Sequence, residues 1–140
     1  MVRLSIDEVK RLLDRCKGVR ERINSKQTQI ASIKDMTQQF AEPEAIVDGE
    51  VMSIMAEQNT KATNELISGL KEDIAELCKI EIETRRIIAQ VKDVDLQRVL
   101  ELRYLRRLSL QEIADEMTFS YETIRKMHRK ALKAVASLLQ

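Results

Sequence analysis

From Val51 to Val91 the chain contains no proline and a single glycine, Gly69, while apolar residues recur at Met52, Met55, Ala62, Leu66, Ile67, Leu70, Ile74, Leu77, Ile80, Ile87, Ile88 and Val91. Steps of three and four put these residues on one side of a helix. The spacing predicts a single long helix whose apolar stripe needs another helix alongside it. A partner stands upstream. Ser5-Ile6-Asp7-Glu8 has the S-x-x-E form in which serine and glutamate each satisfy an orphan amide of a helix start. Val9, Leu12, Cys16, Val19, Ile23, Ile30 and Ile33 then follow at helical spacing, with Lys26 interrupting, and this narrow stripe reads as a coiled-coil seam running to about residue 38. Pro43, followed by Asp48-Gly49, places the turn between the two helices.

Two such helices can fold back as an antiparallel hairpin, pair with a second copy of the chain, or do both. The doubled positions Leu66-Ile67 and Ile87-Ile88 widen the second stripe and favour a hairpin that also forms a homodimer. Composition agrees with helices. Apolar residues make up 44% of the chain but aromatics only 3%, so the apolar content is aliphatic and suits bundles better than sandwiches or barrels. The 24 basic and 23 acidic side chains leave a net charge of +1, so bulk charge says nothing about nucleic acid and distribution must decide. The acidic run Glu42, Glu44, Asp48, Glu50 and Glu57 reads first as acids favoured at a helix N-terminus, and only second as a surface for a basic partner.

Cys16 and Cys78 fall on the helical stripes and lack the Cys/His spacing of a zinc site, so both are expected to be small core hydrophobes. No metal and no cofactor is indicated. No stretch approaches the roughly 20 apolar residues of a membrane span, and the reading is a soluble, cytoplasmic protein with no membrane partner. The lone histidine, His128, has no acid or nucleophile beside it in sequence; it reads as a surface residue, and the chain as a non-enzyme.

The C-terminal third has a different organisation. Asp93 or Asp95 can cap a helix carrying Leu96, Val99, Leu100, Leu102, Arg103 and Tyr104 on one face and ending near Arg107. Ser109-Leu110-Gln111-Glu112 repeats the capping box and opens a short helix with Leu110, Ile113, Ala114 and Met117 inward; Thr118-Phe119 ends it. Thr118 or Ser120 then caps a longer helix whose apolar side holds Ile124, Met127, Ala131, Leu132, Val135, Leu138 and Leu139. Its other side holds Arg125, Lys126, Arg129, Lys130 and Lys133 against the single acid Glu122. A short helix, a tight turn and a second helix with a basic outer face is the helix-turn-helix arrangement, and the concentrated charge supplies phosphate attraction.

Three segments carry a resemblance: 95–104 (DLQRVLELRY), 108–117 (LSLQEIADEM) and 120–132 (SYETIRKMHRKAL). In order and spacing these resemble the fourth conserved region of sigma factors. The whole chain resembles a narrower group, short proteins of phages and mobile elements that set a helical N-terminal part before such a module, some of them described as late-gene transcriptional regulators. Nothing resembles the second sigma region, which argues against a stand-alone sigma factor. Thr118 stands where many such modules carry glycine, so a left-handed turn there would be strained.

The resemblance implies that the helix from Ser120 lies in the major groove of double-stranded DNA, presenting Tyr121, Glu122, Thr123, Arg125, Lys126 and Arg129. Arginine can pair with guanine in bidentate fashion, Glu122 can accept from cytosine or position an arginine, Lys126 can reach guanine or phosphate, and the Thr123 methyl suits thymine. Lys130 and Lys133 extend the basic face. Ser109 and the Arg106-Arg107 pair before it are expected at phosphates, and Tyr121 either at the backbone or packed on the turn. The resulting expectation is an all-α protein: residues 1–92 a helical hairpin or coiled-coil oligomerisation region, residues 93–140 a helix-turn-helix. Its function reads as a transcriptional regulator, an activator, with RNA polymerase as a further partner. A DNA-packaging recognition subunit and a polymerase-binding adaptor are the alternatives.

Overall fold

A computed structural model describes residues 4–41 and 49–139, the side chains of 39–41 and 49–59 excepted. The turn expected around Pro43, and the side chains of the acidic run, lie outside these residues. Six α-helices follow in order: α1 (Ile6–Asp14), α2 (Val19–Ala41), α3 (Gly49–Ala89), α4 (Val94–Leu100), α5 (Leu110–Met117) and α6 (Tyr121–Leu138), with a π-helical turn (Glu101–Leu105) continuing α4. The fold is all-α, with no strand among the described residues. No helix among them is long and apolar enough to cross a membrane.

The helix starts are set by local chemistry. Ser5 caps α1 and Ser109 caps α5 through complete capping boxes, with Glu8 and Glu112 accepting from the backbone N–H of their respective serines. Asp93 accepts from the N–H groups of Asp95 and Leu96, and Ser120 from that of Thr123. The first helix departs from its expectation. Instead of one helix from residue 5 to about 38, α1 ends at Asp14, residues 15–18 turn, and α2 begins at Val19. Gly18 is the cause. Its φ of +71° lies in the left-handed region open to glycine, and this residue redirects the chain while the apolar spacing runs on through Cys16 and Val19.

The helices form two compact units, one of Met1–Val19 with Lys79–Gln140 and one of Arg20–Cys78. In the second unit, α2 and the earlier part of α3 are antiparallel neighbours. Ile23, Leu70 and Leu77 are buried between them, and Lys26 Nζ donates to Asp73 at 3.2 Å. Ile30, Ile33, Ile67 and Ile74 are only half-buried, and Met36 and Leu66 are each 55% exposed.

The first unit contains two apolar clusters. One joins Val9 and Leu13 of α1, Ile88 of α3, Val91 in the link to α4, Leu96 and Leu100 of α4, Tyr104 of the π-helical turn, and Ala131, Leu132 and Val135 of α6. The other joins Val99, Leu102, Ile113, Ala114 and Ile124. The single face read along 96–104 is thus two: Leu96, Leu100 and Tyr104 turn to one cluster, Val99 and Leu102 to the other. Arg103, read as part of that face, instead donates from Nη1 to the Leu108 carbonyl at 2.9 Å. Burying a Val or Leu fully is worth about 1.5–3 kcal/mol, so α1 is a structural part of the C-terminal module. Arg107 adds a surface tie, donating from Nη1 to Asp14 Oδ1 at 3.1 Å.

Candidate nucleic-acid interface

Helix α6 sorts its residues by chemistry. Ile124, His128, Ala131, Leu132 and Val135 are buried, while Tyr121, Glu122, Thr123, Arg125, Lys126, Arg129, Lys130 and Lys133 are all exposed. Ser109 and Ser120, at the starts of α5 and α6, are exposed as well. The ten residues singled out in the sequence therefore lie at the surface of one unit, eight of them on α6. Between the two helices, Thr118 holds φ 62° and ψ 38°, a left-handed C-cap, and Phe119 N–H returns to the Ala114 carbonyl at 3.0 Å. This tight reversal turns the chain from α5 into α6. For a β-branched residue that conformation is strained.

Hydrogen bonds shape the outer face. Arg125 Nη2 donates to Glu122 Oε2 at 3.2 Å, so the one acid on this face holds one of its arginines. The Thr123 and Ser120 hydroxyls lie 2.8 Å apart, which fixes the threonine rotamer at the helix start. Among the described residues Lys126, Arg129, Lys130 and Lys133 have no ion-pair partner. Tyr121 is 44% exposed and Phe119, in the turn, 42%.

Two expectations are corrected here. Arg106 and Arg107, expected at phosphates, are engaged within the fold: Arg106 Nη1 meets Glu116 Oε1 at 2.8 Å, and Arg107 meets Asp14. His128 is not a surface residue. It is 8% exposed, its Nε2 sits 2.7 Å from the Tyr104 hydroxyl, and the two rings stack with centroids 5.7 Å apart. Burial, reinforced by the nearby charges of Arg103 and Lys10, lowers the imidazole pKa to about 4, while burial raises that of Tyr104 to about 12. Both groups are neutral near pH 7 and pair as neutral groups must when taken out of water. Position 128 lies four residues after Ile124 and four before Leu132, a spacing that already placed it on the apolar face.

Beside this face runs an open cleft that sequence reasoning did not find. Its walls are α1 through Ile6, Asp7, Lys10 and Asp14, the start of α5 through Leu110, and α6 through Arg125, Lys126, His128, Arg129 and Leu132, with Arg103 and Tyr104 at its floor. No group of three metal-ligating side chains occurs among the described residues.

A capped short helix, a left-handed turn and a longer helix with an exposed basic face define a helix-turn-helix DNA-binding module. Residues 95–136 match the family model of sigma-70 region 4, and this segment is a sigma-factor region-4-like helix-turn-helix. No curated protein and no solved structure matches the chain.

Proposed function

We propose that this protein is a sequence-specific transcriptional regulator, an activator of phage or mobile-element genes, that reads promoter DNA with α6. The observation that carries the reading is the outer face of α6. Five cations stand there against one carboxylate, on a helix whose start is held by a serine cap and a tight turn. Phosphate attraction alone would need only the charge. The Glu122–Arg125 pair argues for more, because a carboxylate on a face that meets phosphate opposes binding unless it positions a base-reading arginine or accepts from a base. Lys126 and Thr123 share that exposed face, while Lys130 and Lys133 lie further along the helix and suit phosphates. Polymerase contact belongs to the same reading, as region-4-like modules act beside polymerase.

The half-buried and exposed apolar side chains of α2 and α3 support a homodimer. A two-helix hairpin with Ile30, Ile33, Met36, Leu66 and Ile67 incompletely covered gains by laying that stripe against a second copy.

Three substitutions separate reading from attraction. Arg125→Ala is expected to cost about 1–3 kcal/mol on the preferred site and to relax preference at one base pair. Lys133→Ala weakens all sequences alike and lowers the salt slope by about one unit. Glu122→Ala removes a negative charge yet weakens the preferred site alone. Titrations against fragments selected from the source genome measure all three, and effects that merely track net charge would sink the promoter-reading proposal.

A further inference from the structure

The cleft beside α6 holds five cations, Lys10, Arg103, Arg125, Lys126 and Arg129, and two carboxylates, Asp7 and Asp14. Asp14 is already engaged by Arg107 at 3.1 Å. Arg103 is likewise spent on the Leu108 carbonyl. What faces outward is Lys10 from one wall and Lys126 and Arg129 from the other, none with an ion-pair partner among the described residues, together with Arg125. Lys10 is exposed, one residue beyond the fully buried Val9 that fixes α1 against α6, so its place beside α6 is set by packing rather than by chance.

An aggregation of unpaired cations across two helices costs repulsion unless an anion spans them. Because Arg125, Lys126 and Arg129 belong both to this cleft and to the exposed face of α6, a polyanion lying along that face comes within reach of Lys10. We infer that α1 is a DNA-contacting element: Lys10 meets the phosphate backbone flanking the groove that α6 enters, so the interface reaches beyond the helix-turn-helix to the other end of the chain. This inference rests on the DNA-binding reading of α6 and adds a second element to it. Asp7, on the same wall and unpaired through its carboxylate, acts with opposite sign and limits nonspecific affinity.

The test uses the full chain and a fluorescein-labelled duplex of about two helical turns, titrated over a range of salt concentrations. Lys10→Gln is expected to weaken binding several-fold on every sequence and to lower the salt slope by about one unit, with Lys10→Arg restoring both. Asp7→Asn is expected to tighten binding. Arg125→Ala and Lys133→Ala run in parallel. If these two weaken binding while Lys10→Gln leaves affinity and slope unchanged, the role of α1 is overturned and the α6 reading survives. If the wild-type chain binds no duplex even at low salt, both fall. Because Lys10 is exposed, thermal unfolding of the Lys10 variants should match the wild type, which excludes misfolding as the cause of their loss.

Discussion

His128 and Tyr104 show how much one misplaced residue can change. With no acid or nucleophile beside it in sequence, the histidine reads as a surface residue; in the structure it completes the buried face and shares a 2.7 Å hydrogen bond with Tyr104. Its pKa is lowered from 6.5 to about 4, with burial the largest cause, Arg103 and Lys10 acting in the same direction and Asp14 against them. The unfolded chain then takes up a proton below about pH 6.5 that the folded chain refuses. Stability is fully present above that pH and falls as pH drops towards 4, by about 3 kcal/mol in all. Urea unfolding at a series of pH values measures the slope, and His128→Gln should flatten it while lowering stability at neutral pH. Thr118 carries a second residue-scale prediction. Its left-handed φ of 62° puts a β-branched residue where glycine is favoured, and Thr118→Gly should raise stability by roughly 1 kcal/mol. A melting temperature that drops instead would mean the threonine methyl has a packing role that outweighs its backbone.

At the scale of elements, what could be read from the sequence is what is encoded locally. Ser5 with Glu8 and Ser109 with Glu112 mark two helix starts, because a cap needs only residues three apart, while of Thr118 and Ser120, both open in the sequence, it is Ser120 that caps α6. The long α3 was legible because its stripe persists without proline. The end of α1 was not, since Cys16 and Val19 keep the apolar rhythm across Gly18, and a positive φ leaves no trace in a hydrophobic pattern. Nor was the docking of α1 on α6, whose two sides lie at opposite ends of the chain. The cost of ignoring it can be measured. A fragment of residues 93–140 spans the whole family match but lacks Val9, Leu13, Ile88 and Val91, all buried in one cluster with α6. It should melt without cooperativity, and in the full chain Leu13→Ala should cost about 2–5 kcal/mol. Gly69 lies in α3 where an added methyl would meet nothing within 4 Å, so Gly69→Ala should stabilise the protein by about 0.5–1 kcal/mol.

For the whole molecule, the apolar stripes of α2 and α3 bear on assembly. A dimer is expected at micromolar concentration, and sedimentation giving a monomer there would leave a solitary hairpin. Thiol labelling offers a check that needs no partner: Cys16 is buried and Cys78 only half-buried, so Cys78 should react first. The first unit is discontinuous, with the α2–α3 segment standing as an excursion between its two parts. Contacts between α1 and α6 must close a loop of more than a hundred residues, a slow search when the intervening chain is disordered. Once α2 and α3 zip together by their neighbouring contacts, the ends at Val19 and Lys79 are drawn close and most of that loop is removed from the search. The hairpin would then act as a folding guide for the DNA-binding unit. Weakening it at Ile23 or Leu70 should slow the assembly of α1 onto α6 in stopped-flow refolding, even though neither residue belongs to that unit.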